Sequence, residues 1–175
     1  MAPPGDIYER ELKSLLSGEE KTIVKMVKTC SESERASYES VIGRPFVVVR
    51  AAGSLGIDLV ALRGDFSFPI EVKSSSEDTI HFSRSARMTE QADALREECR
   101  RSGLLPLYAY RLKRVRGDPW RIFSIPIDEE LKGALGLLQR RVPPMDVSGN
   151  GNYIMRWESG IKLSELLGFM EFCGE

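Results

Sequence analysis

The sequence predicts a mixed α/β fold, a central β-sheet with helices packed against it. Three observations carry that reading. Apolar residues recur at helical spacing up to Gly43, the texture changes at Phe46 to short β-branched runs, and a long amphipathic stretch from Ser85 separates those runs from two further strands. Between Asp6 and Leu16 the positions of Ile7, Leu12, Leu15 and Leu16 predict a first helix, with Asp6 as its amino-terminal cap and Ser17-Gly18 as its stop. Two more helical stretches follow, about Glu19 to Lys28 and Ser33 to Ile42, the second closed by Gly43-Arg44-Pro45.

Phe46 to Arg50 reads as a strand, Ala51 to Gly56 as a small-residue loop, Asp58 to Leu62 as a second strand and Phe66 to Lys73 as a third. Arg63-Gly64-Asp65 is the turn between the last two, so an antiparallel hairpin sets Asp58 opposite approximately Glu71. A slip of one residue would turn either side chain to the other face. After Ser74-Ser75-Ser76, a helix from Ser85 to Arg101 buries Met88, Ala92, Leu95 and Cys99 and stops at Gly103. Leu105 to Leu112 and Trp120 to Ile125 are strands flanking the turn Gly117-Asp118-Pro119. In the remainder, Asp128 to Leu138 is expected as a short helix, Val142-Pro143-Pro144 as an irregular link, Asn152 to Trp157 as a strand and Leu163 to Met170 as a last helix. The chain divides accordingly into a core, residues 1–127, carrying a helical insertion at about 18–43, and a carboxyl-terminal extension, residues 128–175, packed on that core.

At 175 residues the chain is the size of one domain and can bury a core without staples. Hydrophobic residues at 42% and charged residues at 29% exclude disordered, collagen-like and disulfide-framework classes. The long apolar run Ala51 to Leu62 is broken by Asp58, so no segment spans a membrane, and the amino terminus lacks the pattern of a secretory signal; an intracellular protein is expected. Cys30, Cys99 and Cys173 are odd in number and far apart, which fits reduced thiols. The net charge of −1 is unevenly spread: Thr79 to Ile127 holds ten Lys or Arg against five Asp or Glu, and the rest holds fifteen against twenty-one. A locally basic half fits a polyanionic partner.

Chemistry concentrates in Gly56-Ile57-Asp58 and Glu71-Val72-Lys73. Glu71 and Lys73 share one face of a strand, and the hairpin brings Asp58 beside them. Two carboxylates suit Mg²⁺, which keeps several waters and shares its shell with phosphate oxygens, and the carbonyl of Val72 is a further candidate ligand. In this reading Asp58 and Glu71 hold the metal, which activates a water, while Lys73 orients the nucleophile and offsets charge on the phosphorus oxygens. The single histidine, His81, argues against histidine-rich zinc sites and a serine triad. The competing reading is a solvated cross-strand ion pair, worth about 0.2–1 kcal/mol. The apolar neighbours Ile57, Leu59, Val60 and Ile70 favour the site, because charges among apolar residues need a partner or a metal.

Four segments together, Glu9-Arg10-Glu11-Leu12, Val49 to Ser54 before Asp58, Ile70 to Lys73, and Trp120-Arg121, resemble the archaeal Holliday junction resolvases. The resemblance covers about Gly5 to Ile127 and implies a restriction-endonuclease-like fold, a mixed central sheet flanked by helices with the extension added. It implies an endonuclease that resolves four-way DNA junctions by paired cuts in recombination and repair, acting with Mg²⁺, or Mn²⁺ in its place, as a homodimer. By the same resemblance Glu9 adds an acidic group to the metal site, Arg10 and Arg50 contact DNA, Ser54 serves catalysis from its loop and Gln91 lies near the metal. Ile57 departs from the proline common in the superfamily, and the insertion at 18–43 bears on where Glu9 sits. Arg84, Arg87, Arg111, Lys113, Arg114 and Arg116 are candidates for phosphate contacts. Two symmetric cuts require two sites, and a dimer surface is expected from the sheet edge and the helix around Met88 and Leu95. The rival functions are a nuclease for other branched or damaged DNA and a catalytically silent DNA-binding module.

Overall fold

In the computed structural model, which describes residues 4–52 and 54–174, the first helical pattern folds as α1 (Pro4–Leu16). Asp6 lies inside its first turn rather than capping it, and its carboxylate is ion-paired with Arg10 and accepts from Arg50 instead. The insertion forms α2 (Glu20–Met26), a short 3₁₀ turn and α3 (Glu32–Gly43). Ser31 and Glu34 make a reciprocal capping box at the start of α3, the side chain of each accepting from the backbone N–H of the other.

The strands β1 (Val47–Arg50), β2 (Leu59–Leu62) and β3 (Ser67–Ser75) follow, and then β4 (Thr79–His81), which was not expected. Helix α4 (Ala86–Ser102) is capped by the Ser85 hydroxyl and ends on left-handed Gly103. Next come β5 (Leu107–Leu112), β6 (Trp120–Ser124), α5 (Gly133–Arg141), β7 (Asp146–Val147), β8 (Tyr153–Arg156), β9 (Ile161–Lys162) and α6 (Leu163–Cys173). The helix expected from Asp128 begins later. The side chain of Gln139 accepts from Leu131 N–H and donates to the Glu129 carbonyl, which holds that stretch outside the helix.

The central sheet has the order β1-β2-β3-β5-β6-β9, and β4-β8-β7 form a second, smaller sheet. β3 and β5 are parallel; every other pair in the central sheet is antiparallel. Strand alternation divides the core. On one face Val48, Leu59, Ala61, Ile70, Val72, Leu107 and Ala109 pack with Leu12, Leu15 and Leu16 of α1 and with Leu163, Leu166 and Met170 of α6. On the other, Tyr108, Tyr110 and Phe123 pack with Ala92, Leu95 and Cys99 of α4 and with Tyr153 and Met155 of the extension. All three cysteines are free. Among the described residues no helix is long and apolar enough to cross a membrane.

The extension is built into the sheet as well as laid on it: β9 pairs with β6 through Arg121↔Lys162 and Ile122↔Ile161. Insertion and extension also meet at Asp118, 2% exposed, in the turn before β6. Its Oδ1 accepts from Tyr38 Oη at 2.7 Å and Trp120 N at 3.0 Å, and its Oδ2 accepts from Ser164 N at 2.8 Å. One carboxylate thus ties α3, β6 and the start of α6.

Candidate active site

The hairpin register is Leu59↔Ile70 and Val60↔Pro69, and Asp58 N donates to the Ile70 carbonyl at 3.0 Å, which carries the pairing on to Asp58 and Glu71. Ala51 N donates to the Asp58 carbonyl at 2.8 Å, so β1 fixes the other side of Asp58. The Asp58 Oδ2 accepts from Val72 N at 2.8 Å, which anchors the carboxylate between the strands. Glu71 and Lys73 alternate on the face that α4 covers, with Lys73 Nζ donating to Glu71 Oε1 at 2.8 Å.

Glu71 is 3% exposed, and its second oxygen, Oε2, is buried with no hydrogen-bond partner. Opposite it on the parallel strand β5 stands Tyr108, whose hydroxyl is likewise buried and unpartnered. Burial pushes the Glu71 carboxyl up to about 7; the Lys73 ammonium pulls it down and the Asp58 carboxylate pushes it up again. Burial, then the charges of Glu71 and Asp58, hold the Tyr108 hydroxyl well above its ordinary range. A buried carboxylate with one orphaned oxygen beside a second carboxylate is a donor set that a divalent cation completes, because hard oxygen ligands are what Mg²⁺ takes and water or phosphate fills the rest of its shell. The residues therefore fit the metal.

That carboxyl also sets a pH dependence. Its folded-state value lies above the ordinary 4.5, so between about 4.5 and 7 the metal-free folded protein binds protons that the unfolded chain has released. Stability from this group is lost as pH rises through that window. Glu71→Gln, neutral at every pH, is expected to raise the thermal midpoint at pH 8 in the presence of chelator, and the gain should fade toward pH 5. Melts of both proteins across that range check it; a gain of equal size at both ends rejects the assignment to Glu71.

The remaining candidates do not all converge. Glu9 does not join Asp58 and Glu71: α1 packs on the opposite face of the sheet, and the Glu9 Oε2 accepts from Arg50 Nη2 at 2.8 Å. Among the described residues no group of three Asp, Glu, His or Cys lies where one cation could be shared. Gly53 and the side chain of Ser54 lie outside the described residues; the backbone of Ser54 opens a 3₁₀ turn, Ser54–Gly56. That turn holds two left-handed residues, Leu55 and Gly56, and a Cβ at Gly56 would meet the backbone oxygen of Gln91 at 2.4 Å. Glycine is required there because α4 presses on the loop that presents Asp58.

The cationic candidates fall into two groups. Arg10, exposed and 2.7 Å from Asp6, Arg50, and Lys113, whose Nζ stands 5.7 Å from the centre of the Tyr8 ring, gather about α1. Arg84, bonded to Glu77 at 3.4 Å, exposed Arg87 and half-buried Gln91 lie at the start of α4. Arg114 is exposed and left-handed in the β5–β6 turn, while Arg111 donates to Glu11 at 2.9 Å. Sequence reasoning missed Tyr108, because only the parallel pairing of β5 with β3 brings it to Glu71, and strands far apart in the chain declare no register.

The family model of the archaeal Holliday junction resolvases matches residues 25–137. The solved structure of Archaeoglobus fulgidus Hjc, a Holliday junction resolvase from an archaeal hyperthermophile, is similar in fold, with a TM-score of 0.53 and 21% identity over 95% of this chain and 97% of that one. No curated protein matches the chain.

Proposed function

The chain belongs to the archaeal Holliday junction resolvase family, and on that footing we propose that it resolves four-way DNA junctions by metal-dependent hydrolysis, with Asp58 and Glu71 as the metal-holding carboxylates. The observation that carries this reading is the orphaned, buried Glu71 Oε2 beside the anchored Asp58. Mg²⁺, or Mn²⁺ in its place, supplies a lowered pKa for the attacking water and neutralises charge on the phosphate. Val72 contributes its N–H to position Asp58, and its carbonyl is available as a further ligand. Lys73, fixed by Glu71, orients the nucleophile and offsets charge developing on the phosphorus oxygens. Glu9 acts through Arg50, holding that guanidinium beside the strand that leads to Asp58. Arg10, Arg50, Gln91, Arg84, Arg87, Lys113 and Arg114 supply contacts to DNA, and Ser54 serves the loop before Asp58. Residues 1–127 carry the nuclease and residues 128–175 brace it.

Paired incision needs two sites, so the working form is a homodimer. The helix face around Leu95 is spent within the protomer, since Leu95 is wholly buried. The surface better suited is the uncovered side of the edge strands, where Val47, Val49 and Leu62 are 66%, 51% and 43% exposed and lie side by side in register.

The test is cleavage of an immobile four-way junction against a linear duplex of matched sequence, with Mg²⁺ and with chelator. The expected outcome is symmetric paired cuts in the junction alone, abolished by chelator, from a protein that runs as a dimer. Cutting both substrates equally would discard the junction; tight junction binding without any cut would favour the silent module.

A further inference from the structure

A cleft of about 560 Å³ lies between α1, α2 and the β5–β6 turn. Arg10, Glu11 and Ser14 of α1, Lys21 and Lys25 of α2, and Arg111 of β5 are among the residues that line it. The three carboxylates of α1 are all engaged: Asp6 by Arg10 and Arg50, Glu9 by Arg50, and Glu11 by Arg111 and the Trp120 indole N–H. Lys21 and Lys25 are thereby left without an ion pair among the described residues. They stand one helical turn apart, on neighbouring positions of one helix face, and both are exposed. The cleft also connects to the active site. Arg10 follows Glu9, Glu9 holds Arg50, and Arg50 ends the strand from which Ala51 bonds to Asp58.

We propose that this cleft is a phosphodiester-backbone site, in which Lys21 and Lys25 of the insertion neutralise phosphates of a DNA arm leaving the cleavage centre. The proposal rests on the junction-resolving reading for its choice of DNA. Two exposed ammonium groups one helical turn apart match successive phosphates, because lysine neutralises as a point charge without reading sequence; the Thr22 hydroxyl is already given to the Glu19 carboxylate at 2.6 Å. The insertion then has a task beyond packing. It widens the basic track from Arg10 and Lys113 so that an arm is gripped at some distance from the scissile bond.

The experiment is equilibrium binding of the full chain to a four-way junction and to a linear duplex at 50 and 200 mM salt, for the wild type, Lys21→Ala/Lys25→Ala and Lys21→Arg/Lys25→Arg. Loss of two phosphate contacts lowers the salt slope by about 1.8, so the affinity lost between the two salts shrinks by about 12-fold in the Ala pair, while the Arg pair keeps the wild-type slope. Arg100→Ala/Arg101→Ala, which removes two cations already paired with Glu97 and Glu98 on α4, should leave the slope unchanged. An Ala pair with the wild-type slope on both DNAs overturns the cleft, whatever the junction preference. A wild type that binds junction and duplex equally overturns the junction reading, and the cleft is still judged by the duplex slopes. Binding to neither DNA overturns both.

Discussion

Glu71→Gln is expected to lower single-turnover cleavage of a four-way junction by about 10³-fold or more, equivalent to about 4 kcal/mol of transition-state stabilisation, while junction affinity stays within about twofold. The substitution keeps the size of the side chain and removes the charge that would hold a cation. It also removes the anion that fixes Lys73, whose Nζ sits 2.8 Å from Oε1. Asp58→Asn should act alike, since an amide oxygen can still accept from Val72 N–H and only the charge is lost. Binding is spared because neither side chain faces phosphate as a cation. Quench-flow cleavage with enzyme in excess, beside a binding titration, checks both. Cleavage within tenfold of wild type in either variant, at saturating Mg²⁺, would remove that residue from the metal site. The same Glu71→Gln protein should be the more stable one at pH 8 under chelation, so one substitution exchanges activity for stability at the residue where a buried charge is held for use.

Asp118→Ala is expected to cost about 3–5 kcal/mol of folding stability, a large part of the 5–15 kcal/mol typical of a domain. The loss strands three donors at once, Tyr38 Oη, Trp120 N and Ser164 N, in a region closed to water. It also leaves buried Arg121 without the carboxylate that most strongly offsets its burial. That guanidinium lies 3.8 Å from the centre of the Trp157 ring and donates to the carbonyls of Asp118 and Trp120, with burial lowering its pKa and Asp118 raising it. Urea unfolding of wild type and variant measures the difference. A change below about 1 kcal/mol would mean that insertion and extension are held by their apolar contacts alone. Asp118→Asn should fall between the two, because one carboxamide oxygen cannot serve the donors that both carboxylate oxygens now hold.

Local chemistry made much of this molecule legible in advance. The helices α1, α3 and α4 follow from apolar spacing, with Ser85 and Gly103 as punctuation for α4, and the hairpin that pairs Asp58 with Glu71 follows from a turn at Gly64-Asp65 between alternating strands. The short strands β4, β7 and β9 were not legible, because two or three residues carry no periodicity and become strands only by pairing with β8 and β6. The helix after Asp128 started late for a related reason, a contact from Gln139 that sequence spacing does not encode.

By itself the sequence determined that Asp58 comes close to Glu71 and Lys73, since a tight hairpin and a two-residue period are local rules, while the exact register came from the pairing Leu59↔Ile70. It also determined the family. Tertiary structure alone decided which other groups meet that pair. It set Tyr108 against Glu71 through a parallel pairing with no short connection, and turned Glu9 away by laying α1 on the opposite face. It paired each acid of α1 with a cation, Glu11 with Arg111 inside the cleft itself, and buried Asp118 where residues 46 and 80 positions away could reach it. Such long-range choices depend on which apolar faces cover each other, and that is settled by packing the whole core rather than by any one segment's pattern.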